Sequence, residues 1–358
     1  GDENCWDVAV DSSDNVYVVG YTNISGQGSY DILTAKYNSS GTLQWDNTLG
    51  ASGGDFAYGI DVDSSGNVYI AAYGVSSGSN QIITAKYNTS GTLQWQRALG
   101  GSANEFGYDV AVDSSGNVYV TGFGNSTGAG SQDIITIKYN TSGTLQWQRI
   151  LGGANIDNGN RIDVDSSGNA YIVGYSTSPS SGVDSDIVVA KYNTSGTLQW
   201  QRTLSSSATD RAYGCVVDDS ANLYVVGSSA GSGSTNFLIA KYNSSGTIQW
   251  QRTFGGSGTE VAYNIDVDNL GNIYVVGYTR FTKTGQGGYD VITLKLPDDG
   301  SLTGTYGSYT YAASSLTDAA SSLTADTPTM TGSTSSHTAA ASSTSSFNIS
   351  FTTSLTTL

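Results

Sequence analysis

The sequence predicts an all-β protein: a six-bladed β-propeller with four antiparallel strands per blade and a Ser/Thr-rich C-terminal extension. Three observations carry this. The segment Asn15-Val16-Tyr17-Val18-Val19-Gly20 returns at 67–72, 117–122, 169–174, 222–227 and 272–277. Its tyrosines, Tyr17, Tyr69, Tyr119, Tyr171, Tyr224 and Tyr274, therefore stand 52, 50, 52, 53 and 50 residues apart. A second segment, running from Ala35-Lys36-Tyr37-Asn38 through Gly41 to Trp45, returns with Trp95, Trp147, Trp200 and Trp250. Finally, Gly, Ser, Thr, Asn, Val and Tyr dominate while charged residues make up only 12%, a mixture suited to short strands and tight turns rather than helices.

Each repeat divides into four strands. In the second, strand one is Tyr58–Val62, ended by the turn Asp63-Ser64-Ser65-Gly66-Asn67. Strand two runs from Val68 to Tyr73, strand three from Ile82 to Tyr87, and strand four from Thr92 to Leu99 after the turn Asn88–Gly91. Period-two alternation between Asp/Asn/Ser/Gly turns marks antiparallel strands, and repeats of about 50 residues with four strands each are propeller blades. The predicted blades are 1–50, 51–101, 102–153, 154–205, 206–256 and 257–305, one domain over 1–305, with the tail at 306–358. Gly66 and its equivalents supply a positive φ, while the strand-two Tyr and strand-four Trp are fillers for the contact between blades.

The motifs Val-Asp-Ser-Ser-Gly-Asn-Val-Tyr-Val and Lys-Tyr-Asn-x-Ser-Gly-Thr-Leu-Gln-Trp resemble the SBBP (seven-bladed β-propeller) repeat family of bacterial, archaeal and phage proteins. The likeness covers residues 1 to about 305 and implies a propeller at a surface location. The chain departs in count: six repeats are present. Six complete blades are the expectation, and a seventh from upstream sequence is the alternative, since the chain reads as a processed product or part of a longer polypeptide.

The net charge of −16, with 14 basic residues, excludes a phosphate backbone as partner and argues against an anionic membrane surface. No run of 18 apolar residues spans a bilayer. Ten of the basic residues recur once per repeat (Lys36, Lys86, Lys138, Lys191, Lys241, Lys295, Arg97, Arg149, Arg202 and Arg252), leaving Arg161, Arg211, Arg280 and Lys283 as the off-register ones. With two cysteines, no disulfide framework exists; a single Cys5–Cys215 bridge is the one pairing open.

Candidate sites are few. Asp61-x-Asp63-Ser64-Ser65-Gly66 resembles a fragment of a calcium loop but lacks the converging carboxylates that a hard cation needs, and turn capping accounts for Asp63 without a metal. No cofactor is expected. Two and four residues before the turn Asp, however, the repeats carry Asp61, Asp163 and Asp266, and Asp7 and Asp109. These lie on one face of strand one, facing the propeller axis, as either a solvated acidic channel or a cation site, Asp61, Asp163 and Asp266 being the weak metal candidates. The sequons Asn23, Asn38, Asn88, Asn125, Asn140, Asn193, Asn243 and Asn348 are candidate glycosylation sites, five of them in the strand three–four turn. The one histidine, His337, lies in the tail, so no His-based triad or multi-His metal site forms in the propeller, and an enzyme is not expected.

The tail departs from the repeat. It contains Ser314-Ser315-Leu316-Thr317 and, seven residues on, Ser321-Ser322-Leu323-Thr324. It reads as a disordered or O-glycosylated stalk with a docking strand at 346–356, where Phe347, Ile349 and Phe351 alternate and Leu355 follows. The run from Gly304 to Thr317 resembles the endings of structural proteins of marine bacteriophages. Together these give the leading expectation: a non-enzymatic subunit of an extracellular filament or virion appendage, its C-terminal strand docking on a neighbouring copy or another surface protein. A carbohydrate-binding or adhesion propeller is the alternative.

Overall fold

The computed structural model describes residues 2–24, 29–76, 78–125, 130–177, 184–230, 234–280, 288–306, 309–314, 316–320, 324–326, 331–334 and 338–341. Every regular element among them is a β-strand. Each of the first five repeats forms a four-stranded antiparallel sheet ordered one-two-three-four, from Glu3–Val10 through Leu43–Gly50 in the first to Asp210–Val217 through Ile248–Gly255 in the fifth. In these five repeats every predicted strand is found. In the second repeat they run Asp55–Val62, Val68–Ser76, Ser79–Tyr87 and Leu93–Gly100, the first three longer than predicted and the fourth shifted by one residue.

The turns behave as their composition dictates. One Asp63 carboxylate oxygen accepts the amides of Ser65 and Asn67, each at 2.9 Å, and the other accepts Asn67 Nδ2 at 2.8 Å and the Tyr69 hydroxyl at 2.9 Å. Gly66 sits at φ 76°, the left-handed region that closes this turn. Asn88 Oδ1 organises the three–four turn in the same way, accepting the amides of Ser90 and Thr92.

Packing runs from blade to blade. Among the described residues five hydrophobic clusters are formed, one at each joint between successive sheets; the first joins Tyr17, Val19 and Leu49 to Ile60, Ile70 and Ile83. A polar clasp closes each joint from outside. The strand-four Trp donates its indole N–H to the three–four turn of the next blade: Trp45 to Thr89 O at 3.1 Å, Trp95 to Thr141 O at 3.1 Å, Trp147 to Thr194 O at 3.0 Å, Trp200 to Ser244 O at 3.1 Å and Trp250 to Asp298 O at 2.9 Å. Two residues on, Arg97, Arg149, Arg202 and Arg252 donate Nε to the turn glycine carbonyl of that blade at 2.6–2.8 Å. The repeated Lys lies over the strand-two Tyr of its own sheet, 4.6–5.3 Å from the ring centre. The Tyr and Trp positions are thus inter-blade fillers, as their recurrence predicts.

The sixth repeat has three strands among the described residues, Thr259–Val267, Ile273–Arg280 and Asp290–Leu296. Where strand four would run, Gly304–Tyr306 turns away and pairs with Tyr309–Ala313, which adds to strand four of the fifth blade. The tail then continues around the outside in reverse order. Thr317–Ala320 pairs with strand four of the fourth blade, Thr324–Asp326 with the third, Thr331–Thr334 with the second and Thr338–Ala341 with the first, all antiparallel. The stalk expected over 306–358 is therefore corrected for its described part: it is a belt that gives five blades a fifth strand each. The physical reason is the seven-residue period, four residues to pair and three to step to the next sheet. Leu316 is buried in the joint between the fourth and fifth blades, and Gln251 Nε2 holds its carbonyl at 2.7 Å. The docking strand expected at 346–356, with Phe347, Ile349, Phe351 and Leu355, lies outside the described residues, as do His337, Asn348 and Lys283.

Candidate binding funnel

Strand one of every blade carries a β-bulge at the same place. The register with strand two slips between Cys5 and Asp7, Ala57 and Gly59, Gly107 and Asp109, Gly159 and Arg161, Ala212 and Gly214, and Ala262 and Asn264. The extra residue is Trp6, Tyr58, Tyr108, Asn160, Tyr213 or Tyr263. A bulge re-aims its side chain out of the alternation, and here all six line one cavity of about 640 Å³ on the propeller axis. Their rings touch: Trp6–Tyr58 centroids are 5.1 Å apart, Tyr58–Tyr108 5.4 Å and Tyr213–Tyr263 5.3 Å.

The recurrent strand-two glycine makes the bulge possible. A methyl group on Gly20, Gly122, Gly174 or Gly227 would collide with the backbone carbonyl of Asn4, Phe106, Asn158 or Arg211 across the pair. Beyond these glycines, Phe123 and Tyr175 form a second aromatic tier, with Tyr108–Phe123 centroids 5.5 Å apart.

Polar groups converge on the same space. Arg161 and Arg211, two of the off-register cations, both line it, with Asn158, Asn160, Gln132 and Asn264. The Arg211 guanidinium lies 4.5 Å from the centre of the Tyr175 ring, with Nε donating to Ser185 Oγ at 3.1 Å. The Tyr175 hydroxyl in turn accepts from Asn158 Nδ2.

The axial acids of the first four blades are tied into the joints, with Asp7, Asp61 and Asp163 half-buried, Asp109 buried and Asp266 exposed. Each carboxylate of the first four blades is used as a stitch to the next. Asp7 accepts the amide of Ile60 at 3.0 Å, Asp61 that of Val112 at 2.8 Å, Asp109 that of Ile162 at 2.8 Å and Asp163 that of Val217 at 2.7 Å. Asp61 and Asp163 also accept the amide of their own following residue, each at 2.7 Å. Asp266 makes this local bond, to Val267 at 2.8 Å. Burial pushes the carboxyls of Asp61 and Asp163 up to about 7 and about 6, and raises those of Asp7 and Asp109, where the Arg161 guanidinium opposes it. Among the described residues no group of three or more His, Cys, Asp or Glu side chains converges as metal ligands. The residues present do not fit a calcium loop: Asp61 and Asp163 stitch separate joints and Asp266 binds its own following amide.

Cys5 and Cys215 are both free, so the bridge left open by the sequence is not formed. The sequon side chains of Asn38, Asn88, Asn140, Asn193 and Asn243 each place Oδ1 in their own turn. Asn23 accepts the Asp2 amide at 2.8 Å, and Asn125 donates Nδ2 to Ser131 O at 2.9 Å. The off-register cations were a usable sequence signal for the funnel; the bulged aromatics were not singled out. Their signal was there, an aromatic five residues before the turn Asp in five repeats of six, in a strand whose alternation it breaks.

Five segments, residues 4–26, 49–77, 94–128, 146–179 and 249–281, match the SBBP family model, described as a beta-propeller repeat. No curated protein sequence matches the chain. Similar solved structures include a luciferin-regenerating enzyme, at 13% identity and a TM-score of 0.43 over 76% of this chain and 83% of that one. A putative gluconolactonase matches at 11% identity and 0.34 over 68% and 80%. Sqt1 of Chaetomium thermophilum, bound to the N-terminus of ribosomal protein L10, matches at 9% and 0.34 over 78% and 84%.

Proposed function

We propose that this is a non-catalytic carbohydrate-binding propeller, contributing six blades and acting at an extracellular, cell-surface or virion location. One observation carries the reading: a bulge in every strand one sends a side chain, aromatic in five blades, into a single axial cavity. Aromatic faces take the C–H faces of a sugar ring, while a few fixed polar groups satisfy its hydroxyls and set its orientation. Asn158, Asn160, Gln132 and Arg161 supply both donors and acceptors. The recurrent Trp residues of strand four do not serve this purpose, being held in the inter-blade clasps. The one carboxylate lining the cavity among the described residues, Asp7, is engaged by the Ile60 amide, which favours binding over acid–base chemistry.

Assembly into a filament through the C-terminal strand is the second reading. Its premise, that a chain can add a strand to a blade edge, is met within the molecule, where the tail takes five such edges. Strand three of the sixth blade, Asp290–Leu296, pairs only with strand two among the described residues, and it is the edge such docking would use. Electron microscopy of the whole chain and of one ending at residue 341 separates the readings, since filaments lost with the last residues support assembly.

The sugar reading is tested on a glycan array with the protein and its Tyr58→Ala/Tyr108→Ala variant. Selective retention by the protein and at least about tenfold weaker retention by the variant are expected. Absence of any retained glycan, or equal retention by both, overturns it.

A further inference from the structure

The funnel wall changes character from one side to the other. Just outside the bulge, strands one and two each supply one side chain as a cross-strand pair. The pairs are Phe56 with Tyr73 and Phe106 with Phe123 in the second and third blades, Asn158 with Tyr175 in the fourth, and Arg211 with Ser228 in the fifth. The second and third blades thus make a continuous aromatic wall, with Phe56–Tyr73 centroids 5.4 Å apart, Tyr73–Phe106 4.7 Å and Phe106–Phe123 4.8 Å. The fourth and fifth make a polar wall that carries positive charge. The fourth blade departs again at the bulge. Asn160 stands where the other five have an aromatic ring, and Arg161 follows it where they have Asp7, Gly59, Asp109, Gly214 or Asn264.

The two cations of this wall are held in place but used unequally. Asn160 donates Nδ2 to Ala212 O of the fifth blade at 2.7 Å, and Arg161 donates Nη1 to Asn160 O at 3.2 Å. The Arg161 charge also acts on Asp7 and Asp109. Arg211 is placed differently. Ser228, opposite it on strand two, stands where the other blades carry Tyr or Phe, which leaves room for the long side chain. Its guanidinium lies 4.5 Å from the centre of the Tyr175 ring, and Nε is spent on the buried Ser185 Oγ at 3.1 Å. Its two terminal nitrogens make no hydrogen bond among the described residues. Asp7 is the one carboxylate among the described residues that line the cavity. A guanidinium fixed by a ring and one hydrogen bond, with its fork left over, suits a planar anion taken side-on.

We infer that the funnel selects an acidic sugar, a uronic-acid residue whose ring lies on the bulged aromatics and whose carboxylate is taken by the Arg211 fork, Arg161 adding charge to the same wall. The inference rests on the sugar-binding reading and adds a charge class to it. The net charge of −16 does not oppose it. Exposed charges more than about 8 Å away are largely screened at physiological salt, so the guanidinia inside the cavity outweigh distant carboxylates. The near carboxylate, Asp7, is already engaged by the Ile60 amide and by the Arg161 charge. The cavity of about 640 Å³ falls within the range of roughly 300–1,000 Å³ usual for small-ligand sites. A neutral sugar would meet the fork with a hydroxyl, and a charge-assisted pair is roughly twice as strong as a neutral hydrogen bond.

The test compares glycans that differ only at this group. An array of uronic-acid oligosaccharides, their carboxyl-reduced neutral counterparts and sulfated galactans is probed with the 358-residue chain. The best-retained uronate and its reduced form are then titrated by calorimetry into the protein, Arg211→Gln and Arg211→Lys. A uronate should be retained, and its reduced form should bind at least about tenfold more weakly, a comparison that needs no variant. Arg211→Gln should weaken the uronate by about tenfold or more and leave the reduced form as it was. Arg211→Lys keeps the charge but loses the fork, and should fall between the two. Retention of neutral glycans alone, or of sulfated ones alone, overturns the inference and leaves the sugar reading standing. So does a reduced form bound as tightly as the uronate, or full uronate affinity in Arg211→Gln. If no glycan of any class is retained, the sugar reading fails and the inference falls with it.

Discussion

Tyr119 and Tyr274 occupy the same place in the same repeat, yet one is wholly buried and the other nearly half exposed. Both stand under a Lys of their own sheet, and both donate to the carboxylate of their own turn, Tyr119 at 3.2 Å and Tyr274 at 3.0 Å. What differs is the neighbour. Tyr119 also donates to Gly168 O of the next blade at 2.8 Å and packs against Trp147. A blade's local structure is thus set by its own turns, while its burial is set by the joint. This is the nearest-neighbour behaviour of repeat proteins.

The largest test of this comparison is Tyr119→Ala against Tyr274→Ala. Removing a fully buried ring from the third blade should cost about 3–5 kcal/mol, and removing the exposed one about 1 kcal/mol or less, both read by chemical denaturation. Equal costs would break the comparison. Next comes the belt: Leu316→Ala should destabilise by about 2–3 kcal/mol. Ending the chain at residue 305 should promote aggregation in light scattering, because it bares the outer edges of five sheets. Third are the stitches. Asp61→Ala leaves the Val112 amide without its acceptor and should cost about 1–3 kcal/mol, whereas Asp266→Ala should change stability by about 0.5 kcal/mol or less.

The smallest effect is on pH dependence. Burial raises the axial carboxyls, Asp61 to about 7 and Asp163 to about 6. The folded state therefore binds more protons than the unfolded one above the ordinary carboxyl range of about 4. Stability from this source is full below that range and is lost as pH rises through 6 and 7. The turn carboxyls act oppositely. At Asp11, hydrogen bonds from Asn15, Ser13 and Tyr17 outweigh desolvation and hold the carboxyl down to about 2, so its contribution is lost as pH falls toward 2. The melting temperature should peak between about pH 4 and 5 and decline on both sides. In Asp61→Asn/Asp163→Asn the decline toward pH 7 should flatten.

The blades were legible in the sequence because each strand and turn is encoded locally and written six times. Asp63 caps its turn, Gly66 closes it, and Trp95 must meet the next blade, whatever lies further off. The tail was not legible in the same way. Its short strands have no partner nearby in sequence, and Thr, Ala and Ser carry little periodicity of burial, so the seven-residue spacing from Thr317 to Thr324 was its one visible signal. The funnel was half legible. Arg161 and Arg211 stood out as cations off the repeat, but Tyr58 and Tyr108 recur, and recurrence reads as structure until the bulge shows that these rings leave the sheet. The stitching role of the axial acids was not legible, because Asp61 and Asp163 serve amides of Val112 and Val217 in the next repeat.

Trp6 gives the most direct test of the central claim that the bulged rings bind sugar. It is the one tryptophan at the funnel; Trp45, Trp95, Trp147, Trp200 and Trp250 are held in the inter-blade clasps. Titrating the protein with an array-selected glycan while following tryptophan emission should give a saturable change that disappears in Trp6→Phe. The same titration should weaken by about tenfold or more in Tyr108→Ala. A glycan that binds by calorimetry with no change at Trp6 and full affinity in Tyr108→Ala would contradict the account.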